Sequence, residues 1–161
     1  EIVKMAHDAG VSCEGEIGFV GYAQGDSSQG TDPDEAAQFA RDTKVDAMAI
    51  SVGNVHLQED KEGGLDEPRI RAIEALTEVP LVIHGGSGVP MAQRLHLART
   101  SKICKYNIGT ELRMAFGQAL RAAVNSDPSR FDRVQILKDT HDPLVTATRA
   151  VLQGFKGEDQ C

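Results

Sequence analysis

The feature that most constrains this chain is a strict alternation of strand-like and helix-like segments. Val11 to Ile17 reads as a short strand, and a helix starts at Thr31-Asp-Pro-Asp-Glu35, where a capping residue, a proline and acids gather at the positive end. That helix runs to about Thr43. Val45 to Val52 is the next strand, Glu67 to Thr77 a helix, and Val79 to Ile83 a buried strand. Pro90 to Arg99 is helical, Ile103 to Ile108 is a strand, and Thr110 to Asn125 is a long helix. Asp127 to Gln153 is mostly helical, and Gly154 to Cys161 is a polar tail. No linker interrupts the order, so residues 1–161 are expected to form a single domain. Strand, helix, strand in strict succession implies a parallel sheet with right-handed crossovers.

Four such strands suit either an open doubly wound sheet or half of an eight-stranded barrel. The C-terminal end of each strand is marked by chemistry: Glu16, His56, His84 and Asn107. In a (β/α)8 barrel those ends converge on one axis. An open sheet would place them along one crevice. We prefer the barrel, since four successive strand ends carry polar groups.

His56 and His84 lie just past adjacent strands, so their imidazoles can reach one metal ion. Imidazole suits zinc, and a catalytic zinc keeps a position open for substrate. Either histidine alone is more simply a surface loop residue; the matching positions favour the metal. His7, His96 and His141 fall on helices or late loops and read as solvent-facing or structural. Glu14 and Glu16 flank Gly15, and we expect one to point inward and the other away. Glu16, nearer the strand end, is the better candidate to bind a metal or orient a histidine.

His84-Gly-Gly-Ser-Gly88 is the most informative run. Between a buried strand and a helix, glycines let the backbone approach a ligand closely. The backbone N–H groups of Gly85 and its neighbours, with the Ser87 hydroxyl, can then take phosphate oxygens at the positive end of the helix. A tight turn alone needs fewer glycines and neither the His nor the Ser. Asn107 can hydrogen-bond a substrate hydroxyl or carbonyl, and Thr110 can cap its helix or bind phosphate. Gly109 leaves room for the backbone to approach.

Composition excludes several partners. The formal charge is −7 with no Lys/Arg-rich run, which disfavours nucleic acid and anionic membranes. The 3 cysteines are odd in number and widely spaced, pointing to a reducing, cytoplasmic setting rather than a disulfide framework. Glu1 to Ala9 reads as a helix already under way, and we expect an upstream portion.

The order Glu-Gly-Glu-Ile-Gly (14–18), a glycine-rich loop, Thr-Asp-Pro (31–33), Gly-Asn-Val-His (53–56), His-Gly-Gly-Ser-Gly (84–88) and Asn-Ile-Gly-Thr-Glu-Leu (107–112) resembles the class II ketose-bisphosphate aldolases, from Glu1 to about Arg149. The resemblance implies a (β/α)8 barrel, of which this chain would be roughly the last four β/α units. It implies zinc held by His56, His84 and a third histidine, with Glu16 as the carboxylate of an alternate metal position. Gly85, Ser87 and Thr110 would hold the phosphate of dihydroxyacetone phosphate, and Asn107 would bind substrate. The implied reaction is reversible cleavage of a ketose phosphate in carbohydrate metabolism, with zinc as Lewis acid and a carboxylate moving the proton. The implied assembly is a homodimer or higher oligomer in which an Arg of the neighbouring subunit reaches the second phosphate; Arg133 is a candidate for it.

Departures from the family pattern bear on the substrate. No Asp-His pair precedes Glu14, so the family's acid/base Asp and third zinc His are missing, and the chain by itself is expected to be inactive. Leu57, Gln58, Glu59 and Asp60 follow His56, where the family commonly has Gly and then a Lys. Gly109 stands where fructose enzymes carry Asp. Asp26 must replace the loop acid found around Gln24. Another ketose phosphate or a sugar-acid derivative is therefore as good a substrate as fructose bisphosphate. The alternative is a phosphate-binding α/β module that has lost the chemistry.

Overall fold

The computed structural model describes residues 1–22, 28–57 and 64–157. After α1 (Ile2–Asp8), four parallel strands alternate with helices: β1 (Glu14–Ile17), α2 (Pro33–Thr43), β2 (Ala47–Ile50), α3 (Glu67–Leu76), β3 (Leu81–Ile83), α4 (Met91–Thr100), β4 (Ile103–Tyr106) and α5 (Thr110–Ser126). Two further helices, α6 (Arg133–Lys138) and α7 (His141–Lys156), complete the described chain. The strands are shorter than expected: Val11, Val45 and Val79 lie before the ladder, and β2 and β4 end at Ile50 and Tyr106 rather than at Val52 and Ile108.

Strand order separates the two topologies that the sequence left open. The sheet runs β1-β2-β3-β4, with no reversal. A doubly wound sheet reverses its order at a switch point and gains helices on both faces. Right-handed crossovers in one consecutive direction put every helix on the same face. The helix-facing row is Ile17, Ile50, Ile83 and Tyr106, in register across the sheet. Ile50 and Ile83 are fully buried in a core shared with Ile70, Ile73 and Leu97 of the helices, and Ile17 and Tyr106 pack against it. The opposite row is Glu16, Ala49, Val82 and Lys105, with Glu14 one step earlier.

That second face is concave. Lys105 Nζ on β4 meets Glu14 Oε2 on β1 at 2.7 Å, over the intervening strands. In a flat sheet β1 and β4 stand about 14 Å apart with their side chains parallel. A rolled sheet turns those side chains toward each other. This is the geometry of part of a (β/α)8 barrel, with helices outside and strand ends converging.

Two local expectations change. Glu14 and Glu16 do not point to opposite faces; residues two apart in a strand share a face, and both lie on the concave side. Secondly, α7 extends through Lys156 rather than ending at Gln153. Phe155 on that extra turn packs on Tyr106, with ring centres 5.2 Å apart.

Candidate active site

The concave side of the strand C-terminal ends is organised around two loops. After β2, Asn54 is buried and accepts the Val52 N–H through Oδ1 at 2.7 Å. Its Nδ2 donates to the carbonyls of Ile50 and, at 2.9 Å, His84. One side chain therefore ties the loop that carries His56 to the turn that carries His84. Gly85 makes the same junction possible. It has φ +63°, and a Cβ there would lie 2.4 Å from the Val55 carbonyl oxygen. Only glycine lets the two loops cross this closely.

The result is an imidazole pair with ring centres 6.1 Å apart. Two histidines on one tetrahedral zinc, with Zn–N near 2.0–2.1 Å, have ring centres about 5–6 Å apart, and this pair stands just beyond that range. His84 Nε2 lies 3.1 Å from Glu14 Oε1, and its Nδ1 lies 3.5 Å from Glu16 Oε2. Both carboxylates thus serve His84, not Glu16 alone. Burial opposes ionisation of Glu14, but hydrogen bonds from Lys105 and His84 outweigh it and hold the carboxyl below its usual range. His56 is pushed below the ordinary imidazole range, by burial first and by the positive field of His84, with Arg113 adding to it against Glu16. A neutral imidazole is the form that ligates a metal. Among the described residues, no group of three or more His, Cys, Asp or Glu is placed to hold an ion.

Beside the pair lies a cleft of about 420 Å³. His56 and Leu57 line one wall; Gly85 and Ser87 form another, and Asn107, Thr110 and Arg113 belong to the β4–α5 junction. Ser87 is nearly buried, and its hydroxyl oxygen accepts the Gly109 and Glu111 N–H groups at 3.2 and 3.3 Å. Ser87, rather than Thr110, thus takes amides at the start of α5; the N-cap is Gly109, and no side chain of its own caps the helix. Thr110 Oγ1 instead accepts from Arg113 Nη2 at 3.3 Å. Asn107 is held by its backbone, donating to the Ile83 carbonyl and accepting from the Gly86 N–H.

Arg94 was hidden in the sequence. It is fully buried under the glycine-rich turn, and its Nη2 donates to the Ser87 carbonyl at 2.7 Å and to Glu111 Oε1. It fastens the turn to α5, and it neutralises a carboxylate that would otherwise oppose an anion at that helix terminus. Little in the sequence signals it, since α4 has no clean apolar stripe. Arg113, also unforeseen, is the one cation among the described residues lining the cleft. Arg133 is exposed at the first turn of α6 and does not line the cleft. Asp26 lies outside the described residues, as do Gln58, Glu59 and Asp60. His7, His96 and His141 are exposed and face Asp46, Glu67 and Asp142 respectively.

A one-sided parallel sheet with an imidazole pair and a glycine-rich turn at its strand ends defines a partial (β/α)8 barrel with a polar mouth. The chain belongs to the class II fructose-bisphosphate aldolase family, whose description matches residues 1–160. It is 35% identical to a fructose-bisphosphate aldolase of Geobacillus stearothermophilus, covering 96% of this chain and 55% of that protein. A fructose-bisphosphate aldolase of Staphylococcus epidermidis is 33% identical over 98% of this chain and 54% of its own length. The chain spans about half the length of these curated relatives. Among solved structures, the YdjI aldolase from Escherichia coli K12 superposes with a TM-score of 0.67 at 27% identity, over 98% of this chain and 53% of that one. A fructose-bisphosphate aldolase of Campylobacter jejuni superposes at 0.70 with 20% identity, over 96% of this chain and 53% of that one, and supports the fold alone.

Proposed function

We propose that this chain is the phosphate-binding and metal-binding part of a zinc-dependent aldolase that cleaves a ketose phosphate to dihydroxyacetone phosphate and an aldehyde. The observation that carries the reading is the convergence of Gly85, Ser87, Asn107 and Thr110 on one cleft, with His56 on its wall and His84 beside it. His56 and His84 would hold the zinc, with Glu16 or Glu14 available as a carboxylate partner. When bound, zinc supplies a Lewis acid for the carbonyl and hydroxyl oxygens of the substrate. The Ser87 hydroxyl, the amides of the glycine-rich turn and Thr110 receive the phosphate and fix the substrate's register. The Asn107 amide is at hand for a hydroxyl or carbonyl of the carbon chain.

The bare position at Gly109 supports a substrate other than the ordinary fructose bisphosphate, including other ketose phosphates and sugar-acid derivatives. We further propose a cytoplasmic protein that works as a homodimer or higher oligomer. In support, no helix among the described residues is long and apolar enough to cross a membrane. Phe131, 94% exposed, stands near exposed Val134 and Leu137 as an apolar group suited to a neighbouring subunit.

The test is recovery of the full open reading frame and assay of that protein for dihydroxyacetone phosphate release from fructose and tagatose 1,6-bisphosphates, with and without a chelator. Chelator-sensitive release is the expected result. No release from these or other ketose phosphates, with zinc bound, would overturn the aldolase reading and leave a phosphate-binding module.

A further inference from the structure

We propose that Arg113 is a substrate-binding residue that selects a phosphorylated substrate, and that Gly109 is bare so that this guanidinium can lie across the start of α5. The inference rests on the reading of the cleft as a ketose-phosphate site and adds a residue that reading does not contain.

Arg113 is the fourth residue of α5, and a helical side chain leans back toward the N-terminus. Here it folds far enough for Nη2 to donate to Thr110 Oγ1 at 3.3 Å. It lies so low that a Cβ on Gly109 would sit 2.8 Å from Nη1, and 3.2 Å from Cζ and Nη2. Gly109 and Arg113 are thus one device, in which the missing side chain of the first makes the bed for the second. Gly109 has φ −127°, which any residue tolerates. The backbone does not require glycine here, and an added Cβ would displace the guanidinium, the far end of a flexible side chain.

The position has a chemical consequence. Apart from His56 and the zinc proposed at it, the described lining offers an anion only neutral donors: the hydroxyls of Ser87 and Thr110, the Asn107 amide and backbone amides. On a chain of net charge −7, these stand in an unfavourable long-range field. A guanidinium supplies fixed charge and a planar fork that matches two oxygens of a phosphate. One of its five donors is directed at Thr110, and the residue lines the cleft. Arg113 then binds the same phosphate that the glycine-rich turn receives, from the α5 side, and a neutral sugar gains nothing from it.

The experiment uses the full-length protein containing this chain and compares the parent with Arg113→Met, Arg113→Lys and Gly109→Ala. Inorganic phosphate binding is measured by calorimetry, and KM, kcat and phosphate inhibition are measured on the ketose phosphate that the protein cleaves. We expect Arg113→Met to weaken phosphate binding and raise KM by about 10–100-fold, the value of a charged hydrogen bond, with kcat altered less. Arg113→Lys retains part of the affinity. Gly109→Ala moves the guanidinium and weakens phosphate binding while the melting temperature stays that of the parent, a result that a merely structural role would not give. Phosphate affinity within about twofold of the parent in both Arg113→Met and Gly109→Ala overturns the proposal. The calorimetry decides the role of Arg113 even if no ketose phosphate is cleaved, so failure of the aldolase reading and failure of this inference are told apart.

Discussion

Gly85 shows how much of this site depends on single atoms. Its positive φ and the 2.4 Å approach of the Val55 carbonyl to an added Cβ combine backbone strain with a clash against main chain, which cannot swing aside. We expect Gly85→Ala to destabilise the fold by about 2 kcal/mol, and to separate the His56 and His84 loops. Thermal melting checks the first effect and zinc titration of the full-length protein the second; a parent-like melting temperature and zinc affinity would refute it. The glycine-rich run was legible in the sequence because three glycines with a His and a Ser exceed the needs of a turn. Asn54 and Arg94 were not legible. Asn54 looks like any loop asparagine until its amide is seen joining the Ile50 and His84 carbonyls. An arginine on a helix is ordinarily a solvated residue, and only the packing shows Arg94 buried against Ser87 and Glu111.

At the scale of elements, β1 is held to its neighbours by polar contacts as well as by the sheet ladder. Asp46, just before β2, accepts the Cys13 N–H at 2.7 Å and faces His7 Nε2 of α1 at 2.8 Å. These bonds, the one from Cys13 first, hold its carboxyl below the ordinary value of 3.8. A carboxylate with a depressed folded-state pKa adds stability that is present above its unfolded value and is lost as pH falls through the folded one. We therefore expect Asp46→Asn to melt below the parent near neutral pH, with the gap closing on acidification below about pH 4. Melting curves across that range check it; a gap that stays constant would show that the charge is irrelevant. The start of α2 was read well, since Asp32 accepts the Asp34 and Glu35 amides in its first turn; α3 starts at Glu67 as expected, and its cap by Asp66, which accepts the Arg69 amide, went unread. The faces of β1 were misread, because the position of Gly15 between two glutamates suggested a division that strand geometry does not make. The start of α5 was read only in part, because its donors are taken by Ser87, 22 residues earlier in the chain.

For the whole molecule, the decisive property is a sheet rolled one way with helices on one face only. In the described residues β1 pairs only with β2, and β4 only with β3. Unpaired strand edges and an uncovered concave face invite association with another chain. We expect this 161-residue chain, prepared alone, to self-associate or to be poorly soluble. A sharp monomeric peak in size-exclusion chromatography, with a cooperative melting transition, would refute it. The sequence by itself determined the alternation of strand and helix, the parallel sheet and the residues that mark each strand end. These follow from local periodicity and from turn chemistry, which neighbouring residues encode. Only the tertiary structure decided the consecutive strand order, the joining of two loops by Asn54, the buried Arg94 and the bed that Gly109 makes for Arg113. Those depend on which distant segments meet, and burial and charge pairing between segments far apart in the chain leave no local signature in the order of residues.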